Sequence, residues 1–222
     1  YPLSLHDALP ISLLALAARG GTLEAMKLII AAVLAALVSF VWGYVSWMVL
    51  SWHEVGMHDF KDEKAVAQVI TENATQGRGL YMLPFMHPPL KIDSPEDQAT
   101  KLAGYEKAKA DGPYLYAIVR PGKTELNMNQ SLVRSFVRSF IAAILLGALM
   151  TQLTMSYPGK LAFAAVIGAL VGLGADVPDW IWFELPTRDL IVNMADHFIE
   201  WTLVGSVLAF FLGRELNVRN DH

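Results

Sequence analysis

Four long apolar stretches, separated by one long polar interval and two short ones, organise this chain. Leu28 to Leu50 runs for 23 positions without a charge or a proline, and Ser139–Gly159, Leu161–Phe183 and Leu190–Gly213 follow later. A helix rises about 1.5 Å per residue, so roughly 20 apolar residues cross a hydrocarbon core of about 30 Å. The pattern predicts an α-helical integral membrane protein: four transmembrane helices, with a small α/β extramembrane insert between helices 1 and 2. By number, residues 26–50 form the first transmembrane helix, 51–131 the insert, 132–213 helices 2 to 4, and 214–222 a polar tail.

The polar interval is too long to be structureless, and its pattern predicts two helix-then-strand units. Asp62–Ala74 carries Ala65, Val66, Val69 and Ile70 at helical spacing, Gly77-Arg78-Gly79 stops it, and Leu80–Leu83 follows as a short strand before Pro84. The second unit opens with Ser94 as N-cap, Pro95 at the first helical position and Asp97 at the third. Its helix runs to about Ala110, ends at Asp111-Gly112-Pro113, and gives way to the strand Tyr114–Val119. Between the units, Pro84 to Asp93 reads as an extended linker, with His87 and His58 as surface residues.

The start of the first apolar run, Lys27 followed by apolar residues, would suit a secretory signal. A cleaved signal core is only about 7–15 residues long and ends in small residues. Here the run continues through Trp42, Tyr44 and Trp47 without an A-x-A-like site, so an uncleaved anchor is expected. Upstream, Ser4-Leu5-His6-Asp7-Ala8-Leu9-Pro10-Ile11 resembles a common short-read sequencing adapter translated in one frame. Residues 1–12 are therefore read as adapter-like and 1–25 as a non-native leader, with Met26 as the expected native start.

Composition agrees with a membrane chain, at 54% hydrophobic residues and 17% charged. A net charge of −4 without a Lys/Arg cluster excludes nucleic acid as a partner. Zero cysteines exclude disulfides, thiolate metal sites and cysteine nucleophiles. Six Trp and seven Tyr lie largely near the ends of the apolar runs, as interfacial belts require. With Lys27 inside, both termini are cytoplasmic, the insert is outside, and Lys160, Arg214 and Arg219 obey the positive-inside rule, whereas Arg134 and Arg138 oppose it.

Ionisable residues concentrate in the outer half of the predicted bundle. Asp189, Asn193, Asp196 and Glu200 step by four, three and four, so they share one face of the fourth helix. A charge in hydrocarbon costs about 2.5–3.5 kcal/mol or more, so this stripe must face the bundle interior or water. One reading is a structural ladder: Arg134 and Arg138, four apart on helix 2, pair with Asp196 and Glu200, four apart on helix 4. That pairing would also explain the breach of the positive-inside rule. The other reading is a metal or proton site, with His53, His197 and Glu200 as metal ligands and Asp176 or Asp179 as further donors. No cofactor is required by the sequence, though a metal ion or haem would suit the second reading.

Other chemistry is missing. The chain has no P-loop, dinucleotide fingerprint, H-E-x-x-H or G-x-S-x-G. Gly168-x-x-x-Gly172 on helix 3 suits close helix packing, and Trp180-Ile181-Trp182-Phe183 reads as an interfacial anchor.

Trp42-Gly43, Ser46-Trp47-Met48-Val49-Leu50 and Trp52-His53, then Gly79-Leu80-Tyr81-Met82-Leu83-Pro84 and Val119-Arg120-Pro121-Gly122, occur in that order. This series resembles a group of uncharacterised bacterial inner-membrane proteins with a W-G-x-x-S-W-M-x-L-P-W-H run, a G-x-Y-x-L-P strand and a V-R-P-G exit. Ser51 stands where that pattern carries proline. The resemblance implies a multi-pass bacterial inner-membrane protein and brings no assigned activity, so no catalytic residue is carried over.

The expected role is non-enzymatic: an assembly, scaffold or sensor subunit acting through the insert, with Tyr81, Tyr114 and Tyr116 on strands able to pair with a partner. The expected partners are the lipid bilayer and a membrane protein or a second copy of the chain. Two alternatives stand beside it. One is a metal- or haem-binding redox or hydrolytic protein using His53 and His197. The other is a small oligomeric transporter coupled to an ion or proton.

Overall fold

The computed structural model describes residues 22–86, 94–124 and 126–212. The adapter-like octapeptide, His87 and the polar tail 214–222 lie outside the described residues. Two compact units result: one holds the four long helices and draws on Tyr1–Met57 and Asn127–His222, and the other is His58–Leu126.

In the first unit, α1 (Thr22–Tyr44) continues into a π-helical turn (Val45–Val49) and, after a bend, a 3₁₀ turn (Glu54–Gly56). The other unit then interrupts it with α2 (Glu63–Asn73), β1 (Gly79–Leu83), α3 (Pro95–Asp111) and β2 (Leu115–Val119). The first unit resumes with α4 (Met128–Thr151), α5 (Tyr157–Trp182) and α6 (Thr187–Leu212). Four helical segments of 27, 24, 26 and 26 residues are long and apolar enough to cross a membrane. At about 1.5 Å per residue they measure roughly 36–40 Å.

Helix boundaries differ from the apolar pattern at both flanks of α4. Apolarity predicts the second helix from Ser139, yet α4 begins at Met128, where the Asn127 side chain caps it by accepting from the Gln130 amide. Arg134 and Arg138 therefore sit in its second and third turns rather than at its start. At the other end, Ser156 takes the cap position of α5 and Pro158 falls in its first turn. A proline cannot supply an interior helix hydrogen bond but is suited to a first turn, so the apolar run ending at Gly159 is divided between two helices. At the chain's beginning, α1 starts at Thr22, upstream of Met26, and Lys27 Nζ donates to Glu24 Oε1 at 2.8 Å.

The core of the long helices is small-residue packing. Ala31, Ala32 and Ala35 of α1 are fully buried with Ala143, Leu146 and Met150 of α4, Ala164 of α5, and Val204 and Leu208 of α6. α6 is central, since α1, α4 and α5 each pack on it, and α1 also packs on α4. The Gly168/Gly172 pair brings α5 against α6: a Cβ at Gly168 would stand 2.7 Å from the His197 carbonyl oxygen, and one at Gly172 would stand 3.3 Å from Met194 Cα. At the opposite end of α5, buried Lys160 donates from Nζ to the Leu212 carbonyl at 3.0 Å, capping the last described residue of α6.

Two turns carry left-handed non-glycine residues, Ser51 (φ 52°) and Glu184 (φ 56°). Proline is locked near φ −65°, so Ser51 has a backbone that the proline of the resembled pattern could not adopt.

The second unit follows its caps. Asp62 accepts from the Ala65 amide at the start of α2, and Ser94 with Asp97 forms a capping box at the start of α3. β1 and β2 pair antiparallel with Gly79 opposite Val119, Leu80 opposite Ile118 and Leu83 opposite Leu115. The unit is narrower than residues 51–131, because Asn127 belongs to α4 as its cap and His53 is engaged by α6.

Candidate functional site

The four long helices place their polar residues together where α1 and α5 end and α4 and α6 begin. On α1, Ser39, Trp42 and Ser46 step by three and four and so lie on one face. That face meets the Asp196/Glu200 stripe of α6. Trp42 Nε1–H donates to Asp196 Oδ1 at 2.6 Å. Ser39 Oγ lies 2.6 Å from Glu200 Oε1 and 2.8 Å from Ser139 Oγ. A hydroxyl has a single proton, so Ser39 donates to the carboxylate and accepts from Ser139. Arg138 completes this rung by donating from its guanidinium to Glu200 Oε1 at 2.9 Å.

One rung of the expected ladder is therefore present and the other is not. Arg138 meets Glu200, but Arg134 is exposed and pairs with no carboxylate among the described residues. Asp196 takes Trp42 and His53 as partners, with His53 Nε2 3.5 Å from Asp196 Oδ2. The reason is one of direction: Arg134 lies a full turn nearer the start of α4, and α1 fills the space beside Asp196.

His53 is held on several sides. Its ring stacks on Trp47 with centroids 4.0 Å apart and planes within 3°, and Trp52 meets it edge-on. Ser46 Oγ lies 3.1 Å from the same Nε2 and accepts a hydrogen bond from Trp52 Nε1–H at 3.0 Å. A serine, a histidine and an aspartate thus stand in series, yet they are not a catalytic triad. That arrangement needs the hydroxyl and the carboxylate on opposite ring nitrogens, whereas both approach Nε2 here. Ser46 is also fully buried. The carboxylate favours a proton on Nε2, shared between Asp196 and Ser46.

A second histidine–carboxylate pair is built by α5 and α6. His197 Nε2 is 3.4 Å from Asp176 Oδ2, and Asn193 Nδ2 donates to Asp176 Oδ1 at 3.1 Å. Gly168 allows this pairing, since it lets the His197 backbone approach α5 closely. Asp176 Oδ2 is buried and makes no hydrogen bond, its ion-pair distance to His197 notwithstanding.

The proposed metal set does not converge. His53 is engaged with Asp196, His197 with Asp176, and Glu200 with Ser39 and Arg138. Among the described residues, no group of three or more His, Asp or Glu side chains is placed to hold one ion. Of the remaining candidates, Asp179 and Glu54 are exposed, and Asp189 lies against Gly56. Instead of a coordination centre, these side chains line a cavity of about 290 Å3 whose walls include Trp42, Trp47, Asp176, Asp196 and Glu200.

Sequence reasoning missed Ser39, Trp42, Ser46 and Ser139 as partners. The signal was present on α1, where three hydrogen-bonding side chains recur at helical spacing in an otherwise apolar run.

Fold and site together define a class: a protein of four long apolar helices with an interhelical polar network at one end, interrupted by a small α/β unit. No family model matches the chain, and neither a curated protein nor a solved structure matches it.

Proposed function

We propose that this chain is a bacterial inner-membrane protein whose four long helices cross the bilayer, with cytoplasmic termini and a periplasmic insert. Its role is non-enzymatic, as an assembly, scaffold or sensor component that acts by binding a membrane-protein partner through the insert.

The observation that carries this reading is the insert's surface. Of residues 58–126, only Ala74 and Val119 are buried among those described. Leu80 and Ile118, directly opposite across the two strands, are 64% and 78% exposed. Leu83 and Leu115 form a second exposed pair on the other face. A two-stranded sheet is marginal alone in water, and contiguous exposed apolar surface marks an interaction site. The β1–β2 order also leaves each strand an outer edge among the described residues, and such edges accept a further strand.

The metal or haem reading has less support because the candidate ligands are engaged in separate pairs. The transporter reading has less support because the polar network stops at the apolar core around Leu146, Met150 and Leu208.

The test is a photo-crosslinking residue placed at Ile118 in the full chain in cells, with exposed Lys107 of α3 as the control position. One discrete adduct from position 118 and none from position 107 is expected. Absence of an adduct at 118, or the same diffuse products from both positions, sinks the reading.

A further inference from the structure

The cavity at the end of the long helices has a lining that selects its ligand. Three carboxylates, those of Asp176, Asp196 and Glu200, stand against a single guanidinium, and Arg138 already donates to Glu200. That excess of negative charge disfavours an anion. A bare metal ion is not matched either, since no three donors converge among the described residues. The rest of the wall includes the indoles of Trp42 and Trp47, and indole faces attract cations that come within about 6 Å. One wall atom lacks a donor: Asp176 Oδ2 is buried without a hydrogen bond. Buried carboxylate oxygens almost always receive an N–H or O–H. Among organic cations, a quaternary ammonium has no N–H to give, whereas a protonated amine has several.

We propose that this cavity is a binding site for a protonated primary amine, R–NH3+, with Asp176 as the principal acceptor and Trp42 and Trp47 as the aromatic wall. Binding is non-covalent and independent of the insert's role. A neighbouring apolar groove shares Arg138 and Glu200 with the cavity and continues past Ala143 and Val204, which gives the substituent R an apolar path. The ammonium group is therefore that of a free alkylamine or of an aminophospholipid headgroup.

The test uses the full chain, delipidated in neutral detergent and titrated with butylammonium chloride by calorimetry. The uncharged probe 1-butanol, of similar shape, is run beside it. Butylammonium is expected to bind saturably and 1-butanol not at all. Asp176→Asn should weaken binding about tenfold or more, a change of about 1.4 kcal/mol. Gly43→Leu provides a variant that does not depend on a buried charge. Gly43 lines the cavity and a Cβ there meets nothing within 4 Å, so the helix should fold with the cavity occupied by its own side chain and binding abolished. Repeating the titration in nanodiscs separates the two sources. Weaker butylammonium binding in phosphatidylethanolamine than in phosphatidylcholine discs assigns the site to the headgroup, and equal binding assigns it to a free amine. Absence of saturable butylammonium binding in detergent and in phosphatidylcholine discs, equal binding of 1-butanol, or undiminished binding by a folded Gly43→Leu variant would overturn the proposal.

Discussion

At the scale of single residues, the network is a set of exchanges in which each acidic side chain is divided between partners on different helices. Glu200 serves Ser39 on α1 and Arg138 on α4, so it ties three helices at one carboxylate. The Arg138 side chain is 65% exposed, and such ion pairs contribute about 0.2–1 kcal/mol. A double-mutant cycle of Arg138→Gln and Glu200→Gln, followed by thermal melting in detergent, should therefore give a coupling of about 0.5–1 kcal/mol. Arg134→Gln, with no carboxylate partner, should stay within about 0.5 kcal/mol of the parent. A coupling of zero, or a larger loss at Arg134, would show that the observed rung does not stabilise the bundle. Which residues would be polar and inward was legible in the sequence, because a charge within an apolar helix must avoid lipid. Their pairing was not, because helical spacing fixes which side chains share a face but not which face of a neighbour they meet. Asp196 shows this: its spacing to Glu200 matched that of Arg134 to Arg138, and Trp42 and His53 took it instead.

At the scale of elements, the sequence revealed most of what depends on local chemistry. The caps at Asp62 and Ser94, the glycine stops and the two strands lie where their residue types require. Helix α4 escaped because its first turns mix arginines with apolar residues, so apolarity alone marks its interior and not its ends. The α5–α6 contact was legible at Gly168 and Gly172, and its consequence can be measured. An added methyl at position 168 would meet the His197 carbonyl and the Phe198 backbone, and backbone cannot yield as a flexible side chain can. Gly168→Ala should lower stability by about 1–3 kcal/mol, read as a drop in melting temperature. Gly174→Ala is the control, since a Cβ there meets nothing within 4 Å, and it should be neutral or mildly stabilising. Equal effects at both positions would mean that close packing at Gly168 is not what holds α5 to α6.

At the scale of the whole molecule, polarity is divided along the long helices. Ser39, Ser139, Glu200 and the two histidine–carboxylate pairs gather at one end, while Ala143, Leu146, Met150 and Leu208 fill the core beyond them. A path that carries ions must be polar from end to end, and this one closes against apolar side chains. Vesicles containing the protein should therefore hold an imposed pH gradient as long as protein-free vesicles do, followed with an entrapped dye. Faster decay would restore the transporter reading. The π-helical turn at Val45–Val49 has a last consequence, for how this chain tolerates changes in length. Its Leu50-to-Val45 hydrogen bond, at 3.0 Å, closes a turn one residue wider than its neighbours, and past it the chain delivers Trp47 and His53 beside Trp42. Deleting a single residue there would restore the ordinary turn and rotate everything downstream by about 100°, parting the stacked rings from Asp196. The same deletion between Gln152 and Ser156 falls in a connection between helices and leaves every helical phase intact. Related chains that differ in length should therefore vary in that connection and keep the spacing from Trp42 to His53 fixed at eleven residues.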